Sequence, residues 1–200
     1  TLHTHWDKWK AVHNKDIKYN FICLNGWLRE HRMKLYEILK DIPTGFTTHI
    51  NHNPAPMHPY SNYNFNNVEN FVRLMPLYQQ AKASIISETI YADHPGIITE
   101  KTLLAIAAKH PFMCIGHQGI HREIAQRGFE NFNELFDLSY DTLASEHRLD
   151  AAMDLNLATL SGPGWDVDCA KEKTERNFDL LMNEYTKSIE QRCLAQLKNC

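Results

Sequence analysis

Residues 83–116 read ASIISETIYADHPGIITEKTLLAIAAKHPFMCIG, and the order of segments within them decides the fold class. A short apolar run, Ser84 to Ser87, gives way to a polar loop holding Asp93, His94, Pro95 and Gly96. Thr99 then stands where a helix should open, with Glu100 in the first turn. A hydroxyl at the cap and an acid beside the positive end of the dipole both favour a start there. The helix is predicted over Glu100 to Lys109, and a second apolar run, Phe112 to Ile115, ends at Gly116. Strand, loop, helix, strand is the repeating unit of a parallel sheet, because parallel neighbours need a crossover of a dozen or more residues.

The alternation continues on both sides. Tyr19 to Leu24 (YNFICL) is a buried-strand segment that stops at Asn25-Gly26. Leu28 to Lys40 carries Leu28, Met33, Leu35, Tyr36 and Leu39 at helical spacing and is closed by Pro43 and Gly45. Phe46 to Ile50 supplies another strand and Val68 to Ala81 another helix. Downstream, helices are expected near 118–127, 131–137 and 142–159. After Gly162-Pro163-Gly164, Ala170 to Leu197 is expected as one long helix. The reading is an α/β protein with a Rossmann-like, mostly parallel sheet flanked by helices and a long C-terminal helical tail. Residues 1–18 form an N-terminal arm or the remnant of a longer chain, 19–160 the α/β domain, and 161–200 the tail. Residues 51–65 (NHNPAPMHPYSNYNF) form a proline-rich loop of the length that usually carries function.

Composition narrows the function classes. A net charge of -3 over 200 residues gives no electrostatic reason for nonspecific DNA binding, although Arg29, His31, Arg32 and Lys34 form a local basic cluster. No apolar run approaches the ~20 residues needed to cross a bilayer, so no membrane partner is expected. The five cysteines are scattered, and Cys23 and Cys114 sit inside strand segments where a small buried thiol fits. That usage points to a reducing, cytoplasmic setting. Among twelve histidines, His117 and His121 have i, i+4 spacing, but no acid accompanies them in an HExxH pattern. No metal site is assigned, and a metal-dependent hydrolase is the third-ranked reading.

Open α/β sheets bind ligands at the carboxyl ends of their strands. Three turns fall there. In Thr99-Glu100-Lys101-Thr102, the lysine and the helix amides suit a phosphate, and the glutamate suits a sugar hydroxyl. The same four residues also make an ordinary capped helix with a solvated lysine. Glu88, at the end of the preceding strand, is a hydroxyl acceptor or a base if its pKa is raised, or else an acid paired with Lys101 or Arg73. Gly116-His117-Gln118-Gly119 allows close backbone approach through its glycines, with His117 as a donor. Arg29 and Arg32, after the first strand, contact an anion or line a solvated helix face.

The segments Phe21-Ile22-Cys23-Leu24-Asn25 with Arg29, His31 and Arg32, Ser84 to Thr89 (SIISET), Ile98 to Thr102 (ITEKT), Pro111-Phe112, Arg127-Gly128-Phe129, Phe132, Phe136-Asp137 and Tyr140-Asp141 stand in a consistent order over about 120 residues. Together they resemble a family of phage and bacterial proteins related to glycosyltransferases with two Rossmann-like lobes. The TEK turn is also similar to the donor-binding region of fucosyltransferase-like enzymes. The resemblance implies sugar transfer from a nucleotide-activated donor. Glu100 and Lys101 would contact that donor, with Glu88 and the Gly116-His117 turn in the same cleft. It implies no resident cofactor, the nucleotide sugar being a co-substrate. A metal is not needed when basic side chains and helix amides stabilise the leaving diphosphate.

The acceptor implied would be a modified DNA base, a protein or a glycan, among which the sequence does not choose, and a phage-encoded enzyme would work in the host cytoplasm. Two full lobes need well over about 300 residues, so 19–65 is assigned as a reduced acceptor lobe and 66–160 as the donor-binding lobe. The rival reading is a non-enzymatic interaction protein, for example a phage virion component, that retains this fold. It would use the 51–65 loop and the C-terminal tail as contact surfaces.

Overall fold

The computed structural model describes residues 16–26, 29–49, 68–163 and 165–185. Most of the amino-terminal arm, the 51–65 loop, the tail beyond 185, and Cys193 and Cys200 lie outside the described residues. Four strands, β1 (Tyr19–Asn25), β2 (Gly45–His49), β3 (Ala81–Ser87) and β4 (Phe112–Ile115), form one sheet in the order β2-β1-β3-β4. Every pairing is parallel, with Phe21 opposite Gly45, Ile22 opposite Ser84, and Ser84 opposite Phe112. The helices are α1 (Glu30–Leu39), α2 (Val68–Gln79), α3 (Glu100–Ala107), α4 (Ile120–Gln126), α5 (Ser145–Ser161) and α6 (Lys171–Leu180). The expected α/β class with a parallel sheet is the observed one.

The central strands β1 and β3 and the edge strand β4 are too apolar to leave a face in water, whereas β2 is only half-buried over residues 45–48. β1 and β3 are buried along nearly their whole length, as strands covered on both faces must be. Phe21, Ile22, Ile85, Phe112 and Met113 are at most 2% exposed, and each contributes roughly 1.5–3 kcal/mol on burial. One side chain pair, Lys34 and Asp150 at 2.6 Å, ties α1 to α5. On α6, Glu175 pairs with Lys109, whose ammonium also lies 4.4 Å from the centre of the Phe178 ring.

The path of the chain matters most for function. It moves outward from β1 to β2, then returns across β1 to β3 and on to β4. The strand order therefore reverses between β1 and β3, and such a reversal leaves a crevice at the carboxyl ends of the two strands.

Boundaries differ from expectation where tertiary contacts intervene. β3 begins at Ala81, which pairs with Tyr19 of β1, and the Lys82 side chain donates to the Trp165 carbonyl at 3.1 Å. α3 stops at Ala107 rather than Lys109, because Lys109 has a left-handed φ of 53° and is held there by Glu175. The helix expected at 131–137 is a single turn. Its polar groups are drawn away: Asn131 donates to the His121 carbonyl, and Asn156 accepts from Asp137 N–H. The expected long terminal helix starts with a 3-10 turn at Asp168–Ala170, continues as α6, and widens to a π turn at Leu181–Tyr185. Packing does not end at Leu160. Trp165, Ala170 and Leu181 are all buried, and the Trp165 ring meets Phe136 edge-on at 5.5 Å.

Candidate functional site

A cavity of about 390 Å³ opens where the strand order reverses. Its wall is apolar: Ile22 and Leu24 from β1, Ile86 from β3, Leu74 from α2 and Leu104 from α3, with Ser84 and Tyr78 also facing it. Its mouth is charged, formed by Arg29, Arg32, Thr89, Glu100 and Lys101. Five of the expected ligand residues thus fall on one opening or beside it: Arg29, Arg32, Glu100 and Lys101 line it, and Thr99 caps the helix that carries the last two.

Arg32 is the least ordinary of these. The helical period of α1 puts it on the buried stripe with Leu35 and Leu39, and it is 1% exposed. Its Nη2 donates to the Ser87 carbonyl at 3.2 Å and to the Thr89 hydroxyl at 3.3 Å, while its Nε has no partner among the described residues. Burial lowers its pKa, opposed chiefly by the field of Glu88. Two neighbours are orphaned as well, Asn25 Oδ1 and Ser87 Oγ. Extending the Ile22–Ser84 register by three residues puts Asn25 level with Ser87. Buried polar atoms almost always find partners. Arg32 Nε on α1, Asn25 Oδ1 at the end of β1 and Ser87 Oγ at the end of β3 are buried without a partner among the described residues.

Lys101 completes the arrangement from the other side. Its Nζ lies 3.5 Å from the Thr89 hydroxyl, 3.3 Å from the Thr99 hydroxyl and 3.2 Å from Glu100 Oε1. Two cations therefore converge on Thr89. Among the described residues, three cations (Arg29, Arg32, Lys101) face two carboxylates (Glu88, Glu100) at this end of the sheet. The local balance is positive in a chain that is negative overall.

Glu88 does not line the cavity, and this corrects the expectation of a carboxylate facing a cleft. It is 0% exposed. Oε1 accepts from Thr99 N–H at 3.1 Å and from the Thr102 hydroxyl at 2.7 Å, and Oε2 accepts from the Thr99 hydroxyl at 2.5 Å. Lys101 is not its hydrogen-bond partner among the described contacts, and the Arg73 side chain lies outside the described residues. Glu88 is thus an internal cap on α3, placed where a carboxylate meets the helix dipole. Thr99 also caps α3 through its own oxygen, accepting from Lys101 N–H at 3.5 Å.

The glycine-rich turn is likewise in a different place from the one expected. Gly116 packs beside Glu88, but its carbonyl is taken by Arg148 Nη1 at 2.7 Å. Gly119 adopts a φ of 78°, which only glycine takes without strain, and opens α4. The amides that follow belong to Asp141, whose Oδ2 accepts from His121 N–H at 3.1 Å and Arg122 N–H at 3.4 Å. His117 turns away from the cavity. Its Nε2 pairs with Glu123 at 2.9 Å, and its Nδ1 closes against Gly96 without a partner among the described residues. His121 is spent on structure, accepting from Cys114 N–H and pairing with Asn131. Among the described residues, no three His, Cys, Asp or Glu side chains converge as metal ligands would. No helix among them is long and apolar enough to cross a membrane.

Two networks carry no local sequence signal. In the first, Arg148 on α5 is fully buried and donates to Gly116, Ala92, Leu143 and Asp93. It thereby pins the 88–99 loop, while Tyr91 stacks on His31 with ring centres 4.7 Å apart. His31 in turn pairs with the Glu88 carbonyl at 3.0 Å, and burial pushes its pKa down to about 4. The second is a Ser84–His110 pair inside the cavity wall. The buried cysteines behave as expected of small core residues: burial raises the thiol pKa of Cys23 to about 11 and that of Cys114 well above its ordinary value.

Compared with known proteins, the chain matches no family model, no characterised sequence and no solved structure.

Proposed function

We propose that the chain binds a nucleotide sugar at the carboxyl ends of β1 and β3, as a glycosyltransferase-like protein. The observation that carries this reading is the joining of an apolar cavity to a mouth where Arg32 and Lys101 converge on Thr89. A ligand fitting it has a compact, poorly hydrated part and an anionic part. A nucleoside diphosphate has both. The two cations take the phosphates, and Arg32 brings an unused Nε–H that a phosphate oxygen can accept. Glu100, exposed at the rim, accepts from a ribose or sugar hydroxyl. In transfer, the same cations would stabilise charge on the departing diphosphate, since donors fixed in advance need no reorganisation.

The sealing of Glu88 favours the second reading, binding without turnover. A carboxylate with both oxygens occupied and no exposure is poorly placed to take a proton from an acceptor. The acceptor's base then has to come from another residue or the protein is not an enzyme. Thermal unfolding in the presence of UDP-, GDP-, ADP- and CDP-sugars tests the binding reading. A shift of several degrees with one of them, absent in Lys101→Ala, is the expected result. No shift with any of the four overturns it.

A further inference from the structure

Below its charged mouth the cavity is apolar, and Ser84 interrupts the apolar wall. Ser84 lies three residues along β3 from Ser87, whose carbonyl holds Arg32. Three residues of strand span roughly 10 Å, which matches the distance between a base edge and the 5′-phosphate of a nucleotide. Behind Ser84 stands His110, 1% exposed. Its Nδ1 is 3.0 Å from Ser84 Oγ, and its Nε2 is 2.8 Å from the carbonyl of Tyr78.

This pair has a fixed polarity. A carbonyl only accepts, so Nε2 carries the ring proton. In the neutral ring Nδ1 is then an acceptor. The hydroxyl proton of Ser84 is committed to His110. What Ser84 turns to the cavity is its lone pairs.

On the strength of the nucleotide reading above, we infer that Ser84 selects an amino-bearing base, accepting a hydrogen bond from its exocyclic amino group, with His110 as the positioning residue that keeps Ser84 an acceptor. An amino group stands out from the ring edge and can reach an oxygen recessed in a strand. Uracil presents its N–H between two carbonyl oxygens, which would meet the Ser84 lone pairs and the apolar wall without partners. A site built to accept a hydrogen bond rejects the analogue that lacks the donor, because its own polar atom is left unpaired. An alkyl chain would fill the same wall but would be indifferent to which way the hydroxyl points.

The test is calorimetric titration of the chain with matched pairs that differ by one amino group: ADP and purine riboside 5′-diphosphate, GDP and inosine 5′-diphosphate, CDP and pyrimidin-2-one riboside 5′-diphosphate. UDP and decyl phosphate complete the panel. The expected result is one amino nucleotide bound about ten-fold or more tightly than its partner, with the gap nearly lost in Ser84→Ala. His110→Gln should narrow the same gap by freeing the hydroxyl to rotate, whereas a purely structural histidine would lower thermal stability and leave the ratio alone. Ser84→Ala removes one atom, and its fold is checked by circular dichroism. An unchanged ratio in folded Ser84→Ala overturns the inference and leaves nucleotide binding standing. Tightest binding of UDP, or of decyl phosphate without regard to Ser84, also overturns it. Failure of every nucleotide to bind the wild-type chain overturns both readings.

Discussion

Arg32 and Lys101, from helices on different sides of β3, reach the same hydroxyl: Arg32 Nη2 lies 3.3 Å and Lys101 Nζ 3.5 Å from Thr89 Oγ1. Among the described residues, neither cation has a carboxylate directly against it apart from the exposed Glu100 on Lys101. Two like charges held this close repel unless an anion sits between them, and the geometry is open to one from the cavity mouth.

Lys101→Ala should therefore separate binding from stability. The Lys101–Glu100 pair is partly solvated, and its loss should change stability by less than about 1 kcal/mol. Affinity for a nucleoside diphosphate should fall by about ten-fold or more. Urea unfolding and calorimetric titration on the same variant check this. A large stability loss with affinity retained would make Lys101 a structural residue.

Glu88→Ala should do the opposite. It strips the acceptor from Thr99 N–H and from the hydroxyls of Thr99 and Thr102, all in a site closed to water. Leaving buried donors unpaired costs about 2–3 kcal/mol here. Glu88→Gln keeps one acceptor oxygen and should cost less. Chemical denaturation midpoints give the order; a neutral Glu88→Ala would remove the internal cap from the account of α3.

Acid should weaken the fold through His31. Its folded-state pKa of about 4 lies below the unfolded value of 6.5, so the unfolded chain takes up the proton first as pH falls. The contribution is intact above pH 6.5 and is lost as pH drops from 6.5 toward 4, by on the order of 3 kcal/mol. Buried His121 is shifted in the same direction, so the informative quantity is the difference between wild type and His31→Gln. That variant should show a flatter stability profile between pH 7 and 4. Parallel profiles would mean that His31 takes up its proton over the same pH range in the folded and unfolded states.

Gly45→Ala should be strongly destabilising despite being a one-carbon change. Gly45 faces the fully buried Phe21 across the β1–β2 pairing, and an added Cβ would fall 2.2 Å from Phe21 Cζ. Overpacking of this kind costs about 1–3 kcal/mol or more. Pairing it with Phe21→Leu should recover part of the loss, because the ring is what fills the space. Equal stability of Gly45→Ala and wild type, measured by thermal unfolding, would show that β2 shifts freely.

What the chain alone determined is what depends on neighbours in sequence. Strands of four to seven apolar residues, helices with a periodic face, and the Thr99 cap followed by Glu100 are set by local sterics, local hydrogen bonds and the dipole, so they were legible before any coordinate. The acidic and basic residues of the TEK turn were legible as well, though not their partners across the fold. Only the tertiary structure decided those. It brought Arg32 to Lys101 by reversing the strand order between β1 and β3, and it turned Glu88 inward onto two threonines. His117 was sent to the far side of the Gly116–Gly119 turn, where Asp141 already holds the amides, and His110 was set behind Ser84. None of these pairings follows from spacing, because a buried polar group takes whichever partner the packing brings within reach, and that partner comes from an element folded back from elsewhere in the chain.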